Sequence, residues 1–108
     1  MNERPNVEVI RLTGELDVAR KDALRGALQI PPSAGAVLLD LADVTYADST
    51  ALTELMRFRL EAERKNVRIA IVTTSPQFDR VIRYAGLDEL FSIFGDRGAA
   101  IEYLERAS

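Results

Sequence analysis

Apolar residues along the chain fall into four short runs separated by longer segments of mixed polarity. The runs at 7–13, 36–41, 67–73 and 91–94 are rich in β-branched and aliphatic residues, which is typical of strands. The second and third are almost continuously apolar, so they predict strands that are buried on both faces of a sheet. In the first run apolar residues occupy both parities. A bulge or a mostly buried strand would each explain this.

Between these strands the apolar residues recur at helical spacing, which predicts four helices. Asp17, Ser75 and Asp96 are the predicted N-caps of the first, third and fourth helices, and Gly86 is the predicted left-handed residue that ends the third. The polar positions predicted for the second helix, at 49–65, are Glu54, Arg57, Glu61, Arg64 and Lys65. The predicted buried stripes are Ala23, Leu24, Ala27 and Leu28; Ala51, Leu52, Leu55, Phe58 and Ala62; Phe78, Val81, Ile82 and Ala85; and Ala100, Ile101 and Leu104.

This alternation of strands and helices predicts an α/β fold with a largely parallel or mixed sheet. In such a sheet the loops after the strands gather at the carboxyl edge, where binding groups usually lie. The predicted loops are 14–17, 42–48 and 73–75. The 108 residues match one domain spanning 1–108.

The composition of the chain argues against several classes of function. A net charge of −3 and dispersed arginines give no basic surface for nucleic acid. The chain contains no cysteine and no histidine, which excludes disulfides, Ser-His-Asp triads and Cys/His zinc sites. No cofactor or metal is expected, and the shortage of convergent acid, base and nucleophile disfavours an enzyme. No apolar run is long enough to span a bilayer and no signal-like segment follows the polar residues 1–6, so we expect a cytoplasmic protein without membrane insertion.

The junction between the second strand and the second helix carries the candidate chemistry. Asp48, Ser49 and Thr50 stand at the predicted helix start, where free backbone N–H groups and the helix dipole stabilise an anion. Each of these side chains also suits an N-cap. If Asp48 is the cap, the two hydroxyls that follow have no structural duty, and Ser49 is then a candidate for phosphorylation.

Two other readings of the acidic residues are weaker. Asp40, Asp43 and Asp48 are candidate magnesium ligands, but no phosphate-binding glycine loop accompanies them. A receiver-type phosphoacceptor domain requires a lysine after a late strand. The two lysines, Lys21 and Lys65, do not follow one.

The chain resembles the STAS domain of bacterial anti-sigma factor antagonists, the sporulation and general-stress antagonist family. The motifs that carry the resemblance are Gly-Glu-Leu-Asp at 14–17, Asp-Ser-Thr-Ala-Leu at 48–52, Ser-Pro at 75–76 and Gly-Leu at 86–87. They cover nearly the whole chain. The resemblance implies a four- to five-stranded sheet flanked by about four helices.

The resemblance also implies a function. In that family the unphosphorylated antagonist binds a nucleotide-loaded anti-sigma factor serine kinase and frees a sigma factor, phosphorylation of the motif's first serine ends the binding, and a serine phosphatase resets it. That serine corresponds to Ser49, and Asp17 corresponds to an acidic residue near the partner interface. The implied contact residues are therefore Asp17, Asp48, Ser49, Thr50 and Ala51.

Two features leave open alternatives to an antagonist that is phosphorylated on Ser49. The family usually has glycine where this chain has Ala51, whose methyl is expected to obstruct a kinase. Some STAS proteins resemble non-phosphorylated accessory subunits of a membrane lipid transporter complex, which is the alternative function.

Overall fold

The computed structural model describes residues 5–106, which form one four-stranded sheet with helices on both faces. The strands are β1 (Val7–Leu16), β2 (Ala36–Ala47), β3 (Arg68–Val72) and β4 (Ser92–Phe94), and the helices are α1 (Lys21–Ala27), α2 (Ser49–Arg64), α3 (Pro76–Tyr84) and α4 (Arg97–Glu105). The sheet order is β1-β2-β3-β4 and every pairing is parallel. The predicted α/β class is confirmed, and the sheet is of the parallel kind.

β1 and β2 are longer than predicted. β2 continues to Ala47 and pairs with β1 as far as Leu16, whereas its pairing with β3 stops at Asp40. The predicted loops at 14–17 and 42–48 are therefore wrong for most of their length. We call this two-stranded extension, β1 12–16 with β2 41–47, the ribbon.

β1 contains irregularities in its pairing with β2, which agrees with the bulge and not with the mostly buried strand as the explanation of its mixed parity. Its register with β2 shifts twice, before Thr13 and after Gly14, and Gly14 has a φ of 76°. The Arg20 guanidinium group braces the bend because its Nη1 donates to the carbonyl oxygens of Thr13 at 3.1 Å and Glu15 at 3.0 Å. The bend turns Leu12 and Leu16 into the core.

The sheet separates two apolar cores. The larger one lies under α1, α2 and α3 and contains Phe58, Phe78 and Leu39, all fully buried. The smaller one lies under α4, where Ala100 and Leu104 pack on alternate residues of β2 and β3. Alternation along the central strands thus supplies both cores, as their continuous apolar runs predict.

The helix ends mostly follow the predicted chemistry. Ser75 accepts a hydrogen bond from the Phe78 N–H at 3.2 Å, Asp96 accepts one from the Ala99 N–H at 2.9 Å, and Gly86 has a φ of 76°. Three predicted core residues, Ala23, Ala27 and Ala85, are exposed. Leu24 is the buried residue of α1 and Leu28 follows at its C-cap, so the buried face of the helix is narrower than the sequence pattern indicates.

No helix within residues 5–106 has the length and apolar character needed to cross a membrane.

Candidate functional site

Ser49 is the first residue of α2 and lies at the end of the ribbon. Its side chain is exposed, and its hydroxyl makes no hydrogen bond with any residue of the described range 5–106. Only its backbone carbonyl is used, as the acceptor of the Thr53 hydroxyl at 3.0 Å. The side chain therefore has no structural duty and is open to a modifying enzyme.

Asp48 is the N-cap of α2, as one of the sequence alternatives has it. Its Oδ1 accepts hydrogen bonds from the N–H groups of Thr50 at 2.8 Å and Ala51 at 3.4 Å. The expectation that N–H groups at this helix start are free for an anion is therefore wrong for these two, because a carboxylate already occupies them.

Thr50 and Ala51 differ in accessibility. Thr50 is half-buried, whereas Ala51 is fully buried in the larger core. The methyl group of Ala51 does not lie on the surface of the free protein, so it offers no exposed side chain to a partner; its predicted contact role stays a prediction.

Asp17 lies beside the Ser49 site because the two strands end together. Leu16 is paired with Ala47, and the Asp48 N–H donates to the Leu16 carbonyl at 3.2 Å. Asp17 and Asp48 are thus the first residues beyond two neighbouring strand ends. The predicted capping role of Asp17 is wrong: a short 3-10 helix at Val18–Arg20 precedes α1, and the Asp17 carboxylate makes no capping bond.

The Asp17 carboxylate is poorly satisfied. Its Oδ1 is buried and finds no hydrogen-bond partner among the described residues. A buried polar atom without a partner is uncommon and costs stability.

Exposed apolar side chains flank these polar groups. Val18 is 68% exposed directly after Asp17, and Tyr46 is 44% exposed two residues before Asp48. Sequence reasoning missed both, although Tyr46 is a large apolar residue inside the predicted loop 42–48, which is a recognisable signal of an exposed contact. Apolar area beside polar anchors is what protein interfaces use. We call Asp17, Val18, Tyr46, Ser49 and Thr50 the tip surface.

A groove of about 200 Å³ separates the start of α1 from the first turns of α2 and opens beside Ser49. Lys21 and Arg25 line it on the α1 side, and Thr53 and Glu54 line it on the α2 side. Neither cation was among the predicted site residues. In the sequence they look like ordinary exposed positions of an amphipathic helix.

Glu54 is the buried charge of this region, with 1% of its side chain exposed. Arg25 donates to both of its carboxylate oxygens at 3.1 and 2.9 Å, and Arg57 donates to Oε1 at 2.9 Å. The hydrogen bonds from Arg25 are the main cause of a Glu54 pKa lowered to about 2; burial opposes this lowering and Arg57 adds to it. Glu54 was predicted as a polar position of the second helix, yet it is buried because Arg25 and Arg57 reach across it.

The other acidic residues have structural partners. Asp40 accepts a bond from the Ala42 N–H and lies 3.5 Å from Arg97, and Asp43 pairs with Arg11. Among residues 5–106 no three His, Cys, Asp or Glu side chains converge as metal ligands would. The magnesium alternative has no support from this arrangement.

Comparisons with known proteins agree on the family. Residues 1–93 match the family model described as "Mlab, STAS domain". A STAS-domain containing protein of Pseudomonas aeruginosa is 27% identical over 85 residues, which are 78% of this chain and 84% of that protein.

Two solved structures have the same fold. An anti-sigma factor antagonist from Mycobacterium paratuberculosis is 25% identical with a TM-score of 0.84, and the match covers 92% of this chain and 86% of that one. A sulfate transporter family protein from Wolinella succinogenes is 20% identical with a TM-score of 0.81, covering 93% and 85%. At that identity the second match speaks for the fold alone.

Proposed function

Because the chain belongs to the STAS domain family, we propose that it is an anti-sigma factor antagonist controlled by phosphorylation of Ser49. Its unphosphorylated form binds an anti-sigma factor serine kinase and so releases a sigma factor. A serine phosphatase restores the binding form. The protein acts by binding, without catalysis of its own, and we place it in the cytoplasm.

The exposed, unbonded hydroxyl of Ser49 is the observation that carries this proposal. A serine that served only as a helix cap would point its oxygen at the helix N–H groups, and Asp48 does that instead. A hydroxyl that projects from the end of the ribbon is accessible to a kinase active site, while the backbone that carries it stays fixed by α2.

The tip surface gives the unphosphorylated form a place to dock a partner. Val18 and Tyr46 offer apolar area, Thr50 offers a hydroxyl, and Asp17 lies next to them at the neighbouring strand end. These groups would set both affinity and register.

Phosphorylation would reverse that preference through charge. A phosphate adds about −1.5 to −2 charges at Ser49, beside the carboxylates of Asp17 and Asp48. A docked kinase presents nucleotide phosphates of the same sign, so repulsion in the contact lowers affinity. Each 1.4 kcal/mol of that repulsion is about a tenfold change in dissociation constant.

Phosphopeptide mapping tests the proposal. The purified protein is incubated with ATP and candidate serine kinases from its own organism, and the modified residue is located by mass spectrometry. We expect phosphate on Ser49, its loss in Ser49→Ala and its retention in Ser75→Ala, a matched variant that removes a serine used as a helix cap. A Ser49 that stays unmodified with every candidate partner would remove the switch.

The second candidate is a non-phosphorylated accessory subunit of a membrane lipid transporter complex. The family description, which names Mlab, favours it. In this role the tip surface would be a permanent contact. Co-purification of the chain with a transporter complex, undiminished by Ser49→Ala and without any phosphate on Ser49, would favour this candidate over the first.

A further inference from the structure

A phosphate on Ser49 would lie among charged groups that differ in their ability to neutralise it. The carboxylates of Asp17 and Asp48 are close to the same strand ends, so the immediate surroundings are acidic. The helix start offers little, because Asp48 already occupies the N–H groups of Thr50 and Ala51. The cations that share a groove with Ser49 lie between α1 and α2.

Two cations line that groove, and they are in different situations. Arg25 donates to both carboxylate oxygens of Glu54, whose side chain is only 1% exposed. Moving Arg25 to a phosphate would leave Glu54 Oε2 buried without its donor. A buried carboxylate that loses its partner is strongly unfavourable, so Arg25 stays with Glu54.

Lys21 has no such commitment. Its side chain is exposed and makes no hydrogen bond or ion pair with any residue in the described range 5–106. It lies on the wall of the groove that Ser49 and Thr50 also line. Its ammonium group sits on a flexible four-carbon chain with three donors, so it can turn toward a new anion without moving the backbone.

We propose that Lys21 is the counter-ion of a phosphate carried by Ser49, with which it forms an ion pair across the groove. This inference rests on the proposed function, which takes Ser49 as the phosphate carrier. The pair ties the first turn of α1 to the first turn of α2. It also removes a cation that the unphosphorylated protein offers to acidic groups of a partner, so one modification both adds negative charge and hides positive charge.

A phosphorus NMR titration tests the ion pair. Phosphoserine is installed at position 49 during translation, without any kinase, and its second pKa is followed between pH 4 and 8. That pKa is about 6 for an unrestrained group, and a nearby cation lowers it. We expect the pKa in the otherwise unchanged protein to be about 0.5 to 1 unit below that in Lys21→Gln.

Lys65→Gln is the matched control. Lys65 is the other lysine of the chain and follows the far end of α2, about 24 Å from Ser49 by the helical rise. We expect its removal to leave the phosphate pKa unchanged, and Lys21→Arg to keep it low. High salt should shrink the difference between the parent protein and Lys21→Gln, because screening weakens exposed pairs.

Equal titration of the parent protein and Lys21→Gln would overturn the proposal, as would an equal effect of Lys65→Gln. The melting temperature of each unphosphorylated variant shows that it folds, and Lys21→Ala, which also removes the charge, provides the test if Lys21→Gln does not fold. Because the phosphate is installed without a kinase, the titration is independent of phosphopeptide mapping. A failed ion pair and a failed kinase assignment are therefore told apart.

Discussion

Arg25 of α1 holds Glu54 of α2 through two hydrogen bonds, Nε to Oε1 at 3.1 Å and Nη2 to Oε2 at 2.9 Å. This pair joins the two helices directly below the tip surface. Glu54 is almost fully buried while Arg25 is half exposed, so the pair combines a desolvated carboxylate with a hydrated cation. The desolvation cost of the pair and the strength of its hydrogen bonds therefore both come mainly from the buried carboxylate of Glu54.

Replacing Glu54 by glutamine should lower the free energy of unfolding by about 1 to 3 kcal/mol, because hydrogen bonds to a charged group are lost at a buried position. Urea unfolding measures the change. Glu63→Gln is the control, since Glu63 forms an exposed pair with Arg59 four residues earlier, and it should cost less than about 1 kcal/mol. If both variants lost the same unfolding free energy, Arg25 and Arg57 would not keep Glu54 buried in solution.

The same carboxylate should make stability depend on pH below 5. The Glu54 pKa is lowered from its ordinary value near 4.5 to about 2 in the folded protein. A lowered pKa stabilises the fold fully above the unfolded value, and this contribution disappears as the pH falls through the folded one.

We therefore expect the stability difference between the parent protein and Glu54→Gln to be constant above pH 5 and to decline between about pH 4.5 and pH 2. Chemical unfolding at several pH values measures it. A difference that grows toward low pH would contradict the assigned direction.

Removing the cap of α2 should destabilise the protein without affecting the serine itself. Asp48→Ala loses the bonds to the Thr50 and Ala51 N–H groups and should cost about 1 kcal/mol. Asp48→Asn keeps an acceptor in the same place and should cost less. Thermal unfolding of both variants separates the capping bond from the charge.

A charge at position 49 should change binding and leave folding alone. Ser49→Asp is expected to weaken binding to the cognate kinase at least tenfold while the melting temperature stays nearly constant, because the side chain is exposed. Ser49→Ala should bind without being switched off. Ser33→Asp, in the exposed loop before β2, is the control for added charge. A large fall in melting temperature for Ser49→Asp would assign the serine a structural role.

The bend in β1 should depend on Gly14. Gly14→Ala places a Cβ at a φ of 76° and 3.1 Å from Arg20 Nη1, so it should cost about 1 to 3 kcal/mol in unfolding free energy. Gly26→Ala is the opposite case, since its Cβ meets no atom within 4 Å and α1 gains a better helix former. We expect it to be neutral or stabilising by up to about 1 kcal/mol.

Local patterns predicted most of the elements because each element has its own period and its own cap. Phe78 and Ile82 show the helical period of α3, and Ser75 marks its start, so both could be read from a few neighbouring residues. The position of Ser49 at a helix start was equally local. These features need no knowledge of the rest of the fold.

The errors concern features that depend on distant residues. Asp43 and Thr45 interrupt the apolar residues of the ribbon part of β2, which favoured a loop in the sequence, whereas pairing with β1 as far as Leu16 makes it a strand. Glu54 is buried because Arg25, 29 residues away, reaches over it. No window along the sequence contains either relationship, so neither was predicted.

The ribbon also has a practical consequence. β1 and β2 extend past the end of β3. α4 packs on the sheet where Ala36 and Leu38 lie, near the N-terminal end of β2. A partner protein bound to the ribbon and a fluorophore attached to α4, for instance at exposed Glu102, would therefore occupy different parts of the surface. Labelling on α4 thus permits docking to be followed optically without disturbing it.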